Sequence, residues 1–154
     1  MDYLIIKYIH IISSTILFGT GIGSAFYMFM ANRSKDIKSI CFATRHVVIA
    51  DWIFTTPSVI IQLITGLWMV HDAGYAYTDG WIMWGLILYG FAGICWLPVV
   101  GIQIKMRDIA VSSYEKSEDL PAKYWLMDKW WVLLGAMAFP AVSMIFYLMV
   151  MKPV

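Results

Sequence analysis

An all-α membrane protein of four transmembrane helices in an up-down bundle is the fold class that this 154-residue sequence predicts, on three observations. Hydrophobic residues make up 61% of the chain and charged residues only 14%, with a mean hydropathy of +0.73; a soluble domain carries about 25% charged residues. Four apolar runs, approximately 3–31, 46–71, 81–104 and 130–151, each reach the roughly 20 residues that cross about 30 Å of hydrocarbon. No ten-residue alternation of the barrel-forming kind occurs. Backbone groups in lipid must be satisfied within their own segment, so each run is read as a helix and residues 1–154 as a single domain.

The first run carries "KYIHIISSTILFGTG" and places Ser14, Leu17, Gly21, Ser24, Ala25 and Met28 on one stripe with His10. Small residues let helices or a flat ligand approach the backbone closely, so this stripe is expected to face the bundle interior. The run is too long for the apolar core of a cleaved signal peptide and is expected to be retained as a span. The second run repeats polar residues in helical register: Asp51, Thr55, Ser58, Gln62, Thr65 and Met69. In the third, Gly85, Tyr89, Ala92, Trp96 and Gln103 share a side, with Cys95 beside it. The fourth has few polar groups, Ser143 and Tyr147 being the main ones. Pro57, Pro98 and Pro140 each remove a backbone donor and are expected to kink their helices.

Basic residues orient the chain. Arg33, Lys35, Lys38 and Arg45 flank the first connection, and Lys105, Arg107, Lys116, Lys123 and Lys129 occupy the third, while the second has none. The positive-inside rule then places both termini and the second loop outside. Trp68, Trp81 and Trp84 fall at the outer interface and Tyr124, Trp125, Trp130 and Trp131 at the inner one, an aromatic-belt pattern.

Several function classes are excluded or weakened. A net charge of +1 without a basic cluster argues against nucleic acid as a partner. Cys41 and Cys95 supply no disulfide framework or CxxC motif. Phosphate-cradling loops, a HExxH zinc signature and nucleophile motifs are missing from the sequence.

Two groups of residues point to chemistry. Ser and Thr within spans are read mainly as helix-to-helix glue through interhelical hydrogen bonds, worth about 0.6 kcal/mol each. Asp51 differs, because an ionised carboxylate inside a span costs roughly 2.5–3.5 kcal/mol. It needs a partner, for which Arg45 is the nearest candidate, or a neutral state and a proton-handling role, with Gln62 and Tyr89 as further polar-pathway candidates. The second group is centred on His10. If Asn32 and Arg45 mark the inner surface, His10 is level with Leu67, and Met69 and His71 lie within about 6 Å of that level. A b-type haem takes His with His or Met from facing helices. His10 with His71 or Met69 satisfies this on depth, Gly66 opposes at nearly the same level, and Lys7 stands one turn outward for a propionate. His71 lies roughly 160° around the helix from the Met69 face, so it reaches His10 only if the helix ends or bends there. The plainer alternative makes His10 a hydrogen-bonded packing residue, His46 a loop-facing surface residue and His71-Asp72 a helix terminus.

Through "YIHIISS", "RHVVIADWIFTTPSVIIQLITGLWM" and "CWLPVVGIQIKMRD", nearly the whole chain resembles a widespread bacterial family of small predicted integral membrane proteins of unknown function. More distantly, Lys7, His10, Ile11 and Ile12 are similar to the K-x-x-H-I-I opening of the membrane-embedded protoporphyrinogen oxidases, which implies haem b with His10 as a ligand of its iron. That family also uses a Gly-Trp-Leu-His pattern followed by a lysine. Here "GWIMWGL" places Met83 at the histidine and Gly85 at the lysine, which removes the support for porphyrinogen oxidation itself.

The leading expectation is a multi-pass protein of the bacterial cytoplasmic (inner) membrane that binds b-type haem through His10. It would act as a membrane oxidoreductase or electron carrier, with a quinone or a membrane redox partner and scope for a homo-oligomer. Two other classes stand beside it: a non-haem, proton-coupled or small-molecule carrier with Asp51, Gln62, Tyr89 and Gln103 lining its path, and a structural or assembly subunit that docks another membrane chain on the small-residue stripe.

Overall fold

The computed structural model describes residues 2–153, and these form helices joined by short turns, with no strand among them. Helix α1 spans Tyr3–Ser34, α2 Ile37–Asp72, α3 Gly80–Lys116 and α4 Ala122–Met151. Each is long and apolar enough to cross a membrane. Their lengths of 30 to 37 residues correspond to about 45–56 Å, well beyond the hydrocarbon thickness.

The helices start and stop at local signals, and several stops differ from the expected span limits. Asp2 caps α1 by accepting from the Leu4 N–H at 3.1 Å, and Lys35, with φ of 55°, ends it in a left-handed turn. Asp36 then caps α2, accepting from the Ser39 N–H at 2.9 Å and the Ser39 hydroxyl at 2.5 Å. What hydropathy reads as a first loop up to Arg45 is therefore mostly helix, because polar residues end a hydrophobic run without ending backbone hydrogen bonding. Helix α3 likewise runs past residue 104 to Lys116, and α4 begins at Ala122, before residue 130. A left-handed Ser117, with φ of 55°, makes the turn between them.

Helix α2 is interrupted in its middle. Residues Asp51–Thr55 form a π-helical turn in which the Thr56 N–H donates to the carbonyl of Asp51, five residues back. Pro57 explains it: the ring has no N–H to give and presses on the carbonyl one turn earlier, so the turn ahead of it widens. Pro98 and Pro140 sit inside α3 and α4 without such a turn, so of the three expected proline effects the widened turn falls at Pro57.

Packing follows chain order. Helix α1 lies against the length of α2; the part of α2 preceding the π turn packs on α3; and α3 packs on α4. Met28, Ile40, Val47, Val99, Met106, Ala110, Tyr124 and Trp131 form the buried core, at the end of the bundle that holds the first and third connections. Phe18 on α1 stacks on Phe139 of α4 with centroids 5.0 Å apart. Gly85 makes room for the Met149 side chain of α4, since a Cβ there would meet Met149 Cε at 2.8 Å. At the opposite end, Tyr3 lies 6.5 Å from Trp68, and Lys152 Nζ sits 5.0 Å over the Trp81 ring. The start of α1 and the end of α4 therefore share an end of the bundle with the 73–79 connection, as an up-down bundle requires.

Two expectations are corrected by this packing. Tyr124 and Trp131 are not belt residues, because both turn into the core at 0% and 6% exposure. Most Ser and Thr hydroxyls do not glue helices together: Ser14, Thr15, Ser24, Thr44 and Ser143 donate to carbonyls three or four residues earlier in their own helix.

Candidate functional site

Polar side chains converge at two levels of the bundle. The first joins α1 to α2 around His10. Its Nδ1 lies 2.7 Å from the Thr65 hydroxyl, which itself donates to the Ile61 carbonyl at 2.5 Å. With that hydroxyl proton committed to a carbonyl, Thr65 accepts, so Nδ1 carries the imidazole proton and Nε2 keeps its lone pair. Gln62 ties the same place across the helix pair by donating to the His10 carbonyl and to the Ser13 hydroxyl. Ser13 and Thr65 are buried and His10 half-buried.

Gly66 has a definite role here. A Cβ at that position would stand 3.2 Å from His10 Cε1, so the missing side chain is what admits the imidazole against α2. The space opposite Gly66 is filled by His10 itself, and a larger planar group would have to approach from the Nε2 side. His10 is level with Thr65 and Gly66, within two residues of the level assigned from the sequence. Met69 is half-buried one turn beyond Thr65, whereas His71, in the last turn of α2, and Lys7 are exposed. Among the described residues, no three His, Cys, Asp or Glu side chains converge in a way that could hold a metal ion. Haem iron asks for only one or two protein ligands, and His10 has the donor chemistry of one.

The second level is the π turn. Asp51 is 6% exposed, and its Oδ1 accepts from the Thr55 hydroxyl at 2.9 Å. Gln103 on α3, with its amide nitrogen turned to the carboxyl, donates to Asp51 Oδ2 at 2.6 Å and accepts from Trp131 Nε1 of α4 at 3.1 Å. Three helices are thus linked through the Gln103 amide, with the Asp51 carboxyl at one end and the Trp131 indole at the other. The expected Arg45 partnership is overturned: Arg45 is exposed, and the one ion pair among the described residues is Arg107 with Asp108 at 2.8 Å. Arg45 lies six positions before Asp51 on a continuous helix, which turns its side chain to a different face from that of the carboxyl.

Tyr89 does not join Asp51 or Gln62; its hydroxyl donates to the Val59 carbonyl at 2.6 Å, bridging α3 to the C-terminal half of α2. Trp131 is the participant that sequence reasoning missed. Its position among inner aromatic residues suggested an interfacial role, and the missed signal was Gln103, a polar residue within a span with no partner on its own helix.

A family model described as "Predicted integral membrane protein (DUF2269)" matches residues 4–153. The chain belongs to that family. The membership covers both polar levels and all four helices, and agrees with a multi-pass membrane protein. No curated protein and no solved structure matches the chain. None of these comparisons supports the likeness to protoporphyrinogen oxidases.

Proposed function

We propose that this protein binds b-type haem at the outer end of α1 through His10 and carries electrons within the bacterial cytoplasmic membrane, with a quinone or a membrane protein as its redox partner. The observation that carries this reading is the His10–Thr65 contact of 2.7 Å, which fixes the ring proton on Nδ1, orients the ring and leaves the Nε2 lone pair to ligate a metal. A hydrogen-bond acceptor on the nitrogen that faces away from the metal is the usual companion of a metal-ligating histidine. Met69 and His71 are the candidates for a second axial position and Lys7 for a propionate. The haem would supply a one-electron couple, and the chain would set its axial donor and exclude water around it. The orientation with both termini outside belongs to this reading.

The test is optical. Protein purified from haem-replete cells is expected to show Soret absorbance that His10→Ala abolishes. A colourless wild-type preparation ends the proposal.

A second reading is favoured by the Asp51 carboxyl, buried at the π turn with no ion-pair partner among the described residues. Here Asp51 takes up and releases a proton during transport of a small solute, and Gln103 with Thr55 presents the donors that follow its charge. Proton-coupled flux in liposomes is expected to be lost in Asp51→Asn, and unchanged flux in that variant rejects it.

A further inference from the structure

Between α1 and the N-terminal half of α2 lies an open groove of about 340 Å³, lined by Thr20, Gly23 and Tyr27 from α1 and by His46, Ala50 and Phe54 from α2. From His46 to Phe54 it runs along about 12 Å of helix. A Cβ added at Gly23 would meet nothing within 4 Å, so the groove is open at that point.

His46, a loop-facing residue on the plainest reading of the sequence, lies within α2 and forms part of this wall. Its Nδ1 is 2.7 Å from the backbone carbonyl of Phe42. A carbonyl only accepts, so Nδ1 carries a proton, and the tautomer that this selects has its lone pair on Nε2. The Phe42 ring lies against the imidazole with centroids 4.0 Å apart, fixing its plane as well. The Nε2 atom has no hydrogen-bond partner among the described residues.

We propose that this groove binds the headgroup of a membrane hydroquinone, with a phenolic O–H donating to His46 Nε2. A fixed acceptor selects a ligand that brings its own proton, which a hydroquinone does. A quinone carbonyl and a phosphodiester oxygen are acceptors and leave the nitrogen unsatisfied, so among lipids only a headgroup ammonium or hydroxyl competes for it. Both walls are membrane-spanning helices, so the ligand arrives sideways from the lipid, as a ring on an apolar tail does. Gly23 and Ala50 leave room for a flat ring along the groove. The ligand class is the redox partner named above, but the geometry does not depend on haem at His10.

The experiment is equilibrium binding of a radiolabelled decyl hydroquinone to the full chain in nanodiscs, with empty nanodiscs subtracted. Binding is expected to be saturable and at least about tenfold tighter for the hydroquinone than for its oxidised form, a difference of about 1.4 kcal/mol. His46→Ala, at an exposed position, is expected to weaken it tenfold or more with unchanged helix content, and Gly23→Leu to weaken it by filling the groove. Binding is expected to be the same in colourless preparations as in preparations with Soret absorbance, which separates this site from the haem reading. Equal affinity for both redox forms, full binding by His46→Ala, or a co-purifying phospholipid that Gly23→Leu displaces would each overturn the proposal.

Discussion

Asp51 on α2 and Gln103 on α3 are joined by a 2.6 Å hydrogen bond inside the bundle, and the same amide accepts from Trp131 on α4 at 3.1 Å. Gln103 is 5% exposed, so its partners cannot turn to water if it is removed. Gln103→Leu is therefore expected to destabilise the protein by roughly 1–3 kcal/mol, through a carboxyl and an indole N–H left without a partner. Trp131→Phe removes the second bond together with part of a buried ring, and is also expected to cost roughly 1–3 kcal/mol. Unfolding titrations of the two variants and their double variant in mixed micelles measure the coupling, and strictly additive losses would contradict the hydrogen-bonded chain.

A second consequence concerns the ring of His10. Thr65→Val keeps the shape of α2 while removing the acceptor for Nδ1, and Gly66→Ala brings a methyl to 3.2 Å from His10 Cε1. If His10 ligates haem, Thr65→Val is expected to lower haem affinity by about 10- to 100-fold, as removal of such supports commonly does. Gly66→Ala is expected to shift the absorbance spectrum by displacing the ring a few tenths of an ångström. Haem titration into apoprotein checks both.

At the other end of α1, the Tyr124 hydroxyl donates to Asn32 Oδ1 at 2.7 Å, and Asn32 Nδ2 donates to Asp128 Oδ1 at 2.7 Å. Tyr124→Phe keeps the packed ring and is expected to cost about 1 kcal/mol, while Asn32→Leu strands both neighbours and is expected to cost up to about 3 kcal/mol. Thermal unfolding of the single and double variants supplies the coupling between them.

Acid sensitivity has an identifiable contribution in the turn between α1 and α2. Bonds from the Ser39 hydroxyl and N–H hold the exposed Asp36 carboxyl below its ordinary range near 3.8. A depressed carboxyl stabilises the fold above its unfolded pKa, and that stabilisation is lost as pH falls through the folded value. Melting temperatures of Asp36→Asn are expected to fall less steeply than wild type below about pH 4. A parallel decline would show that this cap does not contribute.

The sequence by itself determined the number of spans, their helical state, the common end of the termini and the inward faces of α2 and α3. These are properties of hydropathy, length and 3.6-residue periodicity, which a single chain displays without reference to its neighbours. It also singled out His10 and Asp51, since polar groups are costly in lipid wherever the helices pack. Helix ends were less legible, because α2 and α3 continue beyond the lipid, where hydropathy no longer reports on backbone bonding. Partners were decided by tertiary structure alone. Rotation about the helix axes gave Asp51 to Gln103 rather than Arg45, His10 to Thr65 and Gly66, and Trp131 to the core rather than the interface. Those pairings depend on interaxial distance and phase between segments far apart in the chain, which no local pattern encodes.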